Sequence, residues 1–412
     1  MAVAIRYMGA KHDLAPKVVK IVNQLPKGPC LDAFAGMCSV AGELASTGRS
    51  AWCNDVQAYA AVVARALVAT RASPPDPAEV DRRIAAAFLR NRSSLISRFE
   101  GDLHAEARVI KRGYRLRYAA LASEWRHAGN DDALAREVAG LQSKPTVFPY
   151  RLSTLTYAYG YFGVAQAIEL DSLRYAIAQA RAAGDLDVDQ ERWSIVALLQ
   201  TASRVASTTG HFAEYLRPHT QSVFERIRLM RQRDVAAQFR VELSRIRPYG
   251  EADWRAKNRV YNADAVSTLG ALDEHETPRV VYADPPYSRA QYSRYYHVLE
   301  TLALYDYPPV NGVGRYRDGR YQTPFSHAAS VEGAFADLVG SVADLGAPFV
   351  LSYPTNGLLY ERGLSPAAVM RERFRRVRIG GHTAIAHSTL GGASGAASLD
   401  VREMIFVGEK PR

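Results

Sequence analysis

The chain has 412 residues, 48% hydrophobic and 23% charged, which excludes a wholly disordered chain and predicts two domains, or one domain carrying a large insertion. The net charge of +10 is concentrated: residues 81–260 carry 29 Lys+Arg against 20 Asp+Glu, and 26 of those cations are Arg. Arg binds phosphate bidentately and stacks on bases, so a basic middle between near-neutral ends points to a polyanion-binding insertion; a high-GC coding bias toward Arg is the alternative.

Residues 12–25 space their apolar positions as a helix does, and PKGP then breaks it. CLDAFAG is a short apolar run ending in glycine, read as a buried strand entering a tight turn. VAGELASTG reads as a helix closed by Gly48, SAWCND as a second strand ending in an acid, and 56–70 as another helix. Strand, glycine loop, helix, strand, acid is half of a nucleotide-binding α/β unit. Cys30, Cys38 and Cys53 fall in this stretch without a CxxC pair, so neither a disulfide framework nor a structural metal is expected. ASPPDP, after Arg71, is a breaker cluster and a candidate boundary. Residues 78–140 read as helices, 145–163 as an aromatic loop, 164–183 and 190–206 as helices, and 221–246 as one long Arg-rich helix.

Strand patterning returns in RVVYADPPY (279–287) and at 347–357. RERFRRVRI leading into HTAIAHS, with DVREMIFVG, is expected to form an antiparallel pair at a sheet edge, and the Gly/Ala/Ser-rich 389–399 between them to be mobile. The sheet is therefore expected to come from both ends of the chain, 1–75 and 255–412, with 76–254 inserted. No apolar run reaches ~18 residues and no signal-peptide core is present, so a soluble cytoplasmic protein is expected.

The sharpest signal is Asp284-Pro285-Pro286-Tyr287, placed after the apolar VVYA and hence at a strand's carboxyl end, where ligands bind in open α/β sheets. An amine conjugated to a purine ring is a poor nucleophile until its N–H bonds find acceptors. The Asp284 carboxylate and the Pro285 carbonyl can supply them. The prolines fix φ and remove competing donors, and Tyr287 offers a face for a flipped base. A plain Pro-Pro turn is the alternative. Asp32, Phe34 and Gly36 form a glycine turn without a P-loop lysine, and Asp55 ends the next strand where an acid can bond ribose hydroxyls. Together they suggest a nucleoside cofactor lacking a pyrophosphate. Tyr7, Gly9 and Lys11 precede the first helix and could close over that cofactor. After the tetrapeptide, Arg289, Tyr292, Arg294 and Tyr295 interleave cations with aromatics, as a DNA-contacting segment does; a packed helix is the alternative. Tyr157, Tyr159, Tyr161 and Phe162 divide evenly between DNA contact and core, and His211 leans toward a core or loop histidine.

This ordered set resembles the D12 class of adenine-N6 DNA methyltransferases, the Dam-like group. The resemblance is strong over 5–60 and 260–305 and weaker at 347–357. Tyr7, Gly9 and Lys11 match the family's N-terminal cofactor motif. Asp32, Phe34 and Gly36 match its glycine-loop motif, and Asp55 its ribose-binding acid. Asp264, in NADA, matches the position near the cofactor's adenine, and Asp284 to Tyr287 match the catalytic tetrapeptide. The loop AGMCSVAG has fewer early glycines than the family pattern, and the insertion carries over no target sequence. The resemblance implies a Rossmann-like, S-adenosylmethionine-dependent core with a mostly helical target-recognition insertion. It also implies methylation of a flipped adenine in double-stranded DNA, no metal, no membrane, and any restriction or defence partner on a separate chain. Cytosine-N4 or RNA-adenine methylation, and a non-catalytic DNA-binding protein of the same fold, are the alternative readings.

Overall fold

A computed structural model describes residues 13–273, 277–385 and 401–411. Within them the chain divides into two compact units, one from 13–71, 249–292 and 321–411, the other from 72–248 and 293–320.

The first unit is built on a seven-stranded sheet. Its strands are β1 (Cys30–Asp32), β2 (Ala51–Asn54), β3 (Arg259–Tyr261), β4 (Val280–Ala283), β5 (Phe349–Pro354), β6 (Phe374–Ile385) and β7 (Val401–Pro411). Their order is β3-β2-β1-β4-β5-β7-β6. The first five pair in parallel, and β7 runs antiparallel to both its neighbours. This is the expected Rossmann-like arrangement, with the strand order reversing between β1 and β4. Parallel strands are covered on both faces, which is why β1, β2, β4 and β5 are short apolar runs buried throughout. Phe349, Leu351, Phe335, Leu338 and Val342 sit in one buried cluster. At roughly 1.5–3 kcal/mol per buried side chain, such a cluster is what holds the sheet to its covering helix Val331–Asp344.

The late strands form the antiparallel pair expected at a sheet edge, with β6 outermost and β7 joining it to β5. The β7 residues Ile405, Phe406 and Val407 are buried, as an interior strand requires. Strand β3, three half-buried residues long, was not expected, because so short a segment carries no readable alternation. Among the described residues no helix is long and apolar enough to cross a membrane. Tyr7, Gly9, Lys11 and the segment 389–399 lie outside the described residues.

The second unit is mainly helical, with Pro77–Arg98, Val164–Ala183, Val188–Val205 and Val235–Arg245 among its helices. Asp171 is fully buried there and accepts from the Ser153 and Thr154 amides at 2.8 and 2.9 Å, the Thr154 hydroxyl at 2.7 Å and the Tyr305 hydroxyl at 2.7 Å. A buried carboxyl survives only when so satisfied. The single helix expected over 221–246 is two, Gln221–Arg231 and Val235–Arg245. Asp234 divides them because its side chain caps the second helix through the Ala237 amide at 2.7 Å.

Candidate functional site

Strands β1 and β4 are parallel neighbours, with Asp32 opposite Tyr282. Both release the chain at the same sheet edge, where the strand order reverses. Asp284 follows β4 there, and the Ala33 amide donates to the Tyr282 carbonyl at 2.9 Å. Gly36 turns the chain with φ of +48°, a conformation glycine adopts without strain. Its amide donates to Asp55 Oδ2 at 2.9 Å, and the Gln57 amide to Asp55 Oδ1 at 2.9 Å. Asp55 therefore fixes the glycine loop through both of its oxygens.

Asn54, which the sequence reading passed over, joins three segments of this edge. Its amide nitrogen lies 3.1 Å from both the Ala33 and Ala263 carbonyls, and its oxygen accepts from the Thr268 hydroxyl at 2.9 Å. Asp264 lies in the loop so anchored. It caps the helix Ala265–Ala271 through the Val266 amide at 3.0 Å and accepts from the Tyr321 hydroxyl. Phe34 is half-buried and meets Phe325 edge-on at 5.6 Å.

Asp32 is 2% exposed. Burial pushes its carboxyl up to about 8; the Phe34 amide opposes the rise, and the nearby carboxylates of Asp284 and Asp55 add to it. Asp284 and Asp55 are thus close enough to Asp32 for their charges to oppose its ionisation. Asp284 is half-buried and accepts from the Ser352 hydroxyl at 3.0 Å, and Ser352 also meets the Tyr282 hydroxyl at 2.9 Å. Ser352 was missed; its only signal was one serine in an otherwise aliphatic and aromatic strand. Pro285 is buried, and Tyr287 packs partly against the core cluster while its carbonyl accepts from the Leu358 amide at 2.8 Å.

The segment after the tetrapeptide is less uniform than its composition suggested. Arg289 is 68% exposed and pairs with Glu361 at 2.9 Å. Tyr292 starts the helix Tyr292–Leu304 and is half-buried. In the helical unit, Arg294 donates to the Tyr316 hydroxyl at 3.0 Å and lies 3.6 Å from Glu214. The Tyr295 ring meets His211 edge-on at 5.0 Å, and the Tyr295 carbonyl accepts from the Phe212 amide at 2.8 Å. Exposed ion pairs of this kind contribute about 0–1 kcal/mol and exchange readily for other anions. Tyr157, Tyr159, Tyr161 and Phe162 are all core, at most 4% exposed. The Tyr161 hydroxyl lies 2.6 Å from the Phe212 carbonyl and 3.2 Å from His297 Nε2. His211 is a loop histidine whose Nδ1 accepts from the Ala213 amide at 3.2 Å.

The family described as "D12 class N6 adenine-specific DNA methyltransferase" matches residues 7–128 and 192–330, well over half of the chain. The match enters the inserted region from both sides, further than the motifs alone reach, and leaves 129–191 outside. The type II methyltransferase M.FokI of Planomicrobium okeanokoites is 25% identical over 202 residues, which is 49% of this chain and 28% of that protein. The type II methyltransferase M.NlaIII of Neisseria lactamica is 26% identical over 200 residues, 48% of this chain and 52% of that protein. The modification methylase LlaI of Lactococcus lactis subsp. lactis is 24% identical over 178 residues, 43% and 26% respectively. The chain thus covers about half or less of the length of these relatives.

Proposed function

From the premise that this chain belongs to the D12 class of N6-adenine-specific DNA methyltransferases, we propose that it methylates adenine N6 in double-stranded DNA at a specific site, using S-adenosylmethionine. Such an enzyme acts in the cytoplasm, and the modification-methylase relatives suggest a restriction endonuclease on a separate chain as its partner. The observation that carries the reading is the pairing of Asp284, oriented by Ser352, with the Asp32–Gly36 turn across the strand-order reversal.

The residues present fit the cofactor. A buried Asp32 whose proton is held up to about 8, facing Asp55 and Asp284, is a site that a cation would relieve. S-adenosylmethionine carries a sulfonium and an ammonium, and when bound it supplies the electrophilic methyl group. In this reading Asp32, Phe34, Gly36, Asp55 and Asp264 hold the cofactor, with Tyr7, Gly9 and Lys11. Asp284 and the Pro285 carbonyl accept the two N–H bonds of adenine N6, which turns its lone pair toward the methyl donor. Tyr287 stacks on the flipped base, and Pro286 keeps the turn free of a competing donor. Arg289, Tyr292, Arg294 and Tyr295 contact the DNA. The roles need neither a metal nor a covalent enzyme intermediate.

Transfer of labelled methyl from S-adenosylmethionine to unmethylated plasmid, followed by nucleoside mass analysis, tests this. N6-methyldeoxyadenosine is the expected product. N4-methyldeoxycytidine, or label on RNA only, overturns the substrate; no label anywhere overturns the activity.

A further inference from the structure

In the helical unit, the helix Glu100–Arg112 ends at Gly113, whose φ of +71° sends the chain into a second helix, Arg115–Glu124. From 107 to 123 the sequence carries five cations, Arg108, Lys111, Arg112, Arg115 and Arg117, and no acid. At the turn, Tyr114 is 50% exposed and Leu116 70% exposed. The backbone there is unobstructed, since a Cβ on Gly113 would meet nothing within 4 Å.

Folding explains part of this pattern and leaves a remainder. Tyr118 is the anchor: it is 1% exposed, packs on Phe224 at 5.5 Å and accepts from Arg231 at 3.1 Å. Leu116 lies two residues away, about 200° around a helix, so the burial of Tyr118 turns Leu116 outward. Arg115 is also explained, because it donates to the Pro218 and His219 carbonyls at 3.0 and 3.1 Å and braces the turn against the 217–219 loop. Lys111 and Arg112 suit the last turn of their helix. Arg117 does not suit its place: it stands in a first helical turn that has no acid, where the helix dipole disfavours a cation. Among the described residues no carboxylate pairs with Arg108, Lys111, Arg112 or Arg117.

We propose that residues 111–117 form a docking tip for duplex DNA. Lys111, Arg112 and Arg117 meet backbone phosphates, and Tyr114 and Leu116 press on a base step or sugar edge, as apolar wedges flanked by cations do. The choice of DNA as the polyanion rests on the methylation reading above. Two exposed apolar side chains at one turn are too few for a membrane-surface helix, whose apolar face is continuous.

The test compares three full-length proteins by fluorescence anisotropy on a short labelled duplex across about 50–200 mM salt. They are wild type, Arg112→Ser with Arg117→Ser, and Tyr114→Ser with Leu116→Ser. All substituted side chains but Arg112 and Arg117 are apolar or aromatic and exposed, and those two are exposed as well, so unfolding midpoints are expected to match wild type. The arginine variant is expected to lower the slope of log affinity against log salt by about 1.8, and affinity by about 60-fold at 0.1 M salt. The apolar variant is expected to weaken binding about 5-fold or more with the slope unchanged. Wild-type affinity and slope in both variants overturn the proposal. So does weakened binding to heparin or polyglutamate with duplex binding intact. If wild type methylates no DNA, the proposed function falls, whereas the tip is judged on the binding slopes alone.

Discussion

Replacing Asp32 by Asn isolates the electrostatics of the glycine turn. The carboxyl stands near 8 in the folded chain against an ordinary value near 3.8, because it is buried and faces Asp284 and Asp55. Below about pH 4 it is protonated whether folded or unfolded, and its burial is uncharged. Between there and about pH 8 the unfolded chain releases the proton and the folded chain retains it, so folding weakens as pH rises; above that the difference stops growing. The loss is about 1.4 kcal/mol per pH unit, on the order of 5 kcal/mol in all. Asn keeps an oxygen for the Phe34 amide, which Asp32 accepts at 3.2 Å, and removes the titration. Urea unfolding of the cofactor-free protein from pH 5 to about 9 is the assay. The stability of Asp32→Asn relative to wild type is expected to climb up to about pH 8 and then level off, because groups that do not interact with Asp32 cancel in the difference. Parallel profiles would refute the reasoning. In the same window, cofactor binding is expected to release a proton from wild type and none from the variant, read by calorimetry in two buffers of different ionisation enthalpy.

Asp284→Ala is expected to lower kcat by about 100-fold or more while duplex affinity stays within a few fold, because it deletes an acceptor for the amine and no phosphate contact; single-turnover methyl transfer and anisotropy check the two halves. Ser352→Ala leaves the Asp284 carboxylate in place and removes the hydroxyl 3.0 Å from it, so kcat should fall by about 10-fold with cofactor KM unchanged. Equal rises in both KM values with wild-type kcat would remove Ser352 from a positioning role. Asn54→Ala strips acceptors and donors from Ala33, Ala263 and Thr268 at a buried position, and should destabilise the protein by about 2–4 kcal/mol in urea unfolding while raising cofactor KM.

The sheet unit was legible because its signals are local. An apolar run ending in Asp32 and a glycine, and another ending in Asp284-Pro285-Pro286, each state a strand, its end and its exit in a few residues. Parallel strands buried on both faces have no other composition open to them. What the sequence withheld was partnership. Nothing local says that 401–411 enters between β5 and β6, or that Asn54 bonds a loop more than two hundred residues later. The break at Asp234 was hidden for a related reason: apolar spacing continues on both sides, and only the capping bond shows that one helix has ended.

The helical unit exposes the limit of reading aromatics and cations by their proximity in sequence. The segment holding Tyr292 and Tyr295 read as DNA-contacting and Tyr157 to Phe162 were evenly divided, yet the latter are core and Tyr296, in the same helix as Tyr292 and Tyr295, is 1% exposed. Tyr114 and Leu116 drew no notice and are among the most exposed large apolar side chains. The difference lies in what each stretch is tied to. The 157–162 aromatics close a ring of contacts around Tyr161, His297 and Phe212, whereas Tyr114 and Leu116 stand on a turn anchored from beneath by Tyr118. An arginine beside such a turn, placed where a helix dipole opposes it and given no carboxylate, adds nothing to the fold that would keep it there. Burial is decided by tertiary partners, so the residues left over after folding has claimed its share are the better guide to where DNA binds.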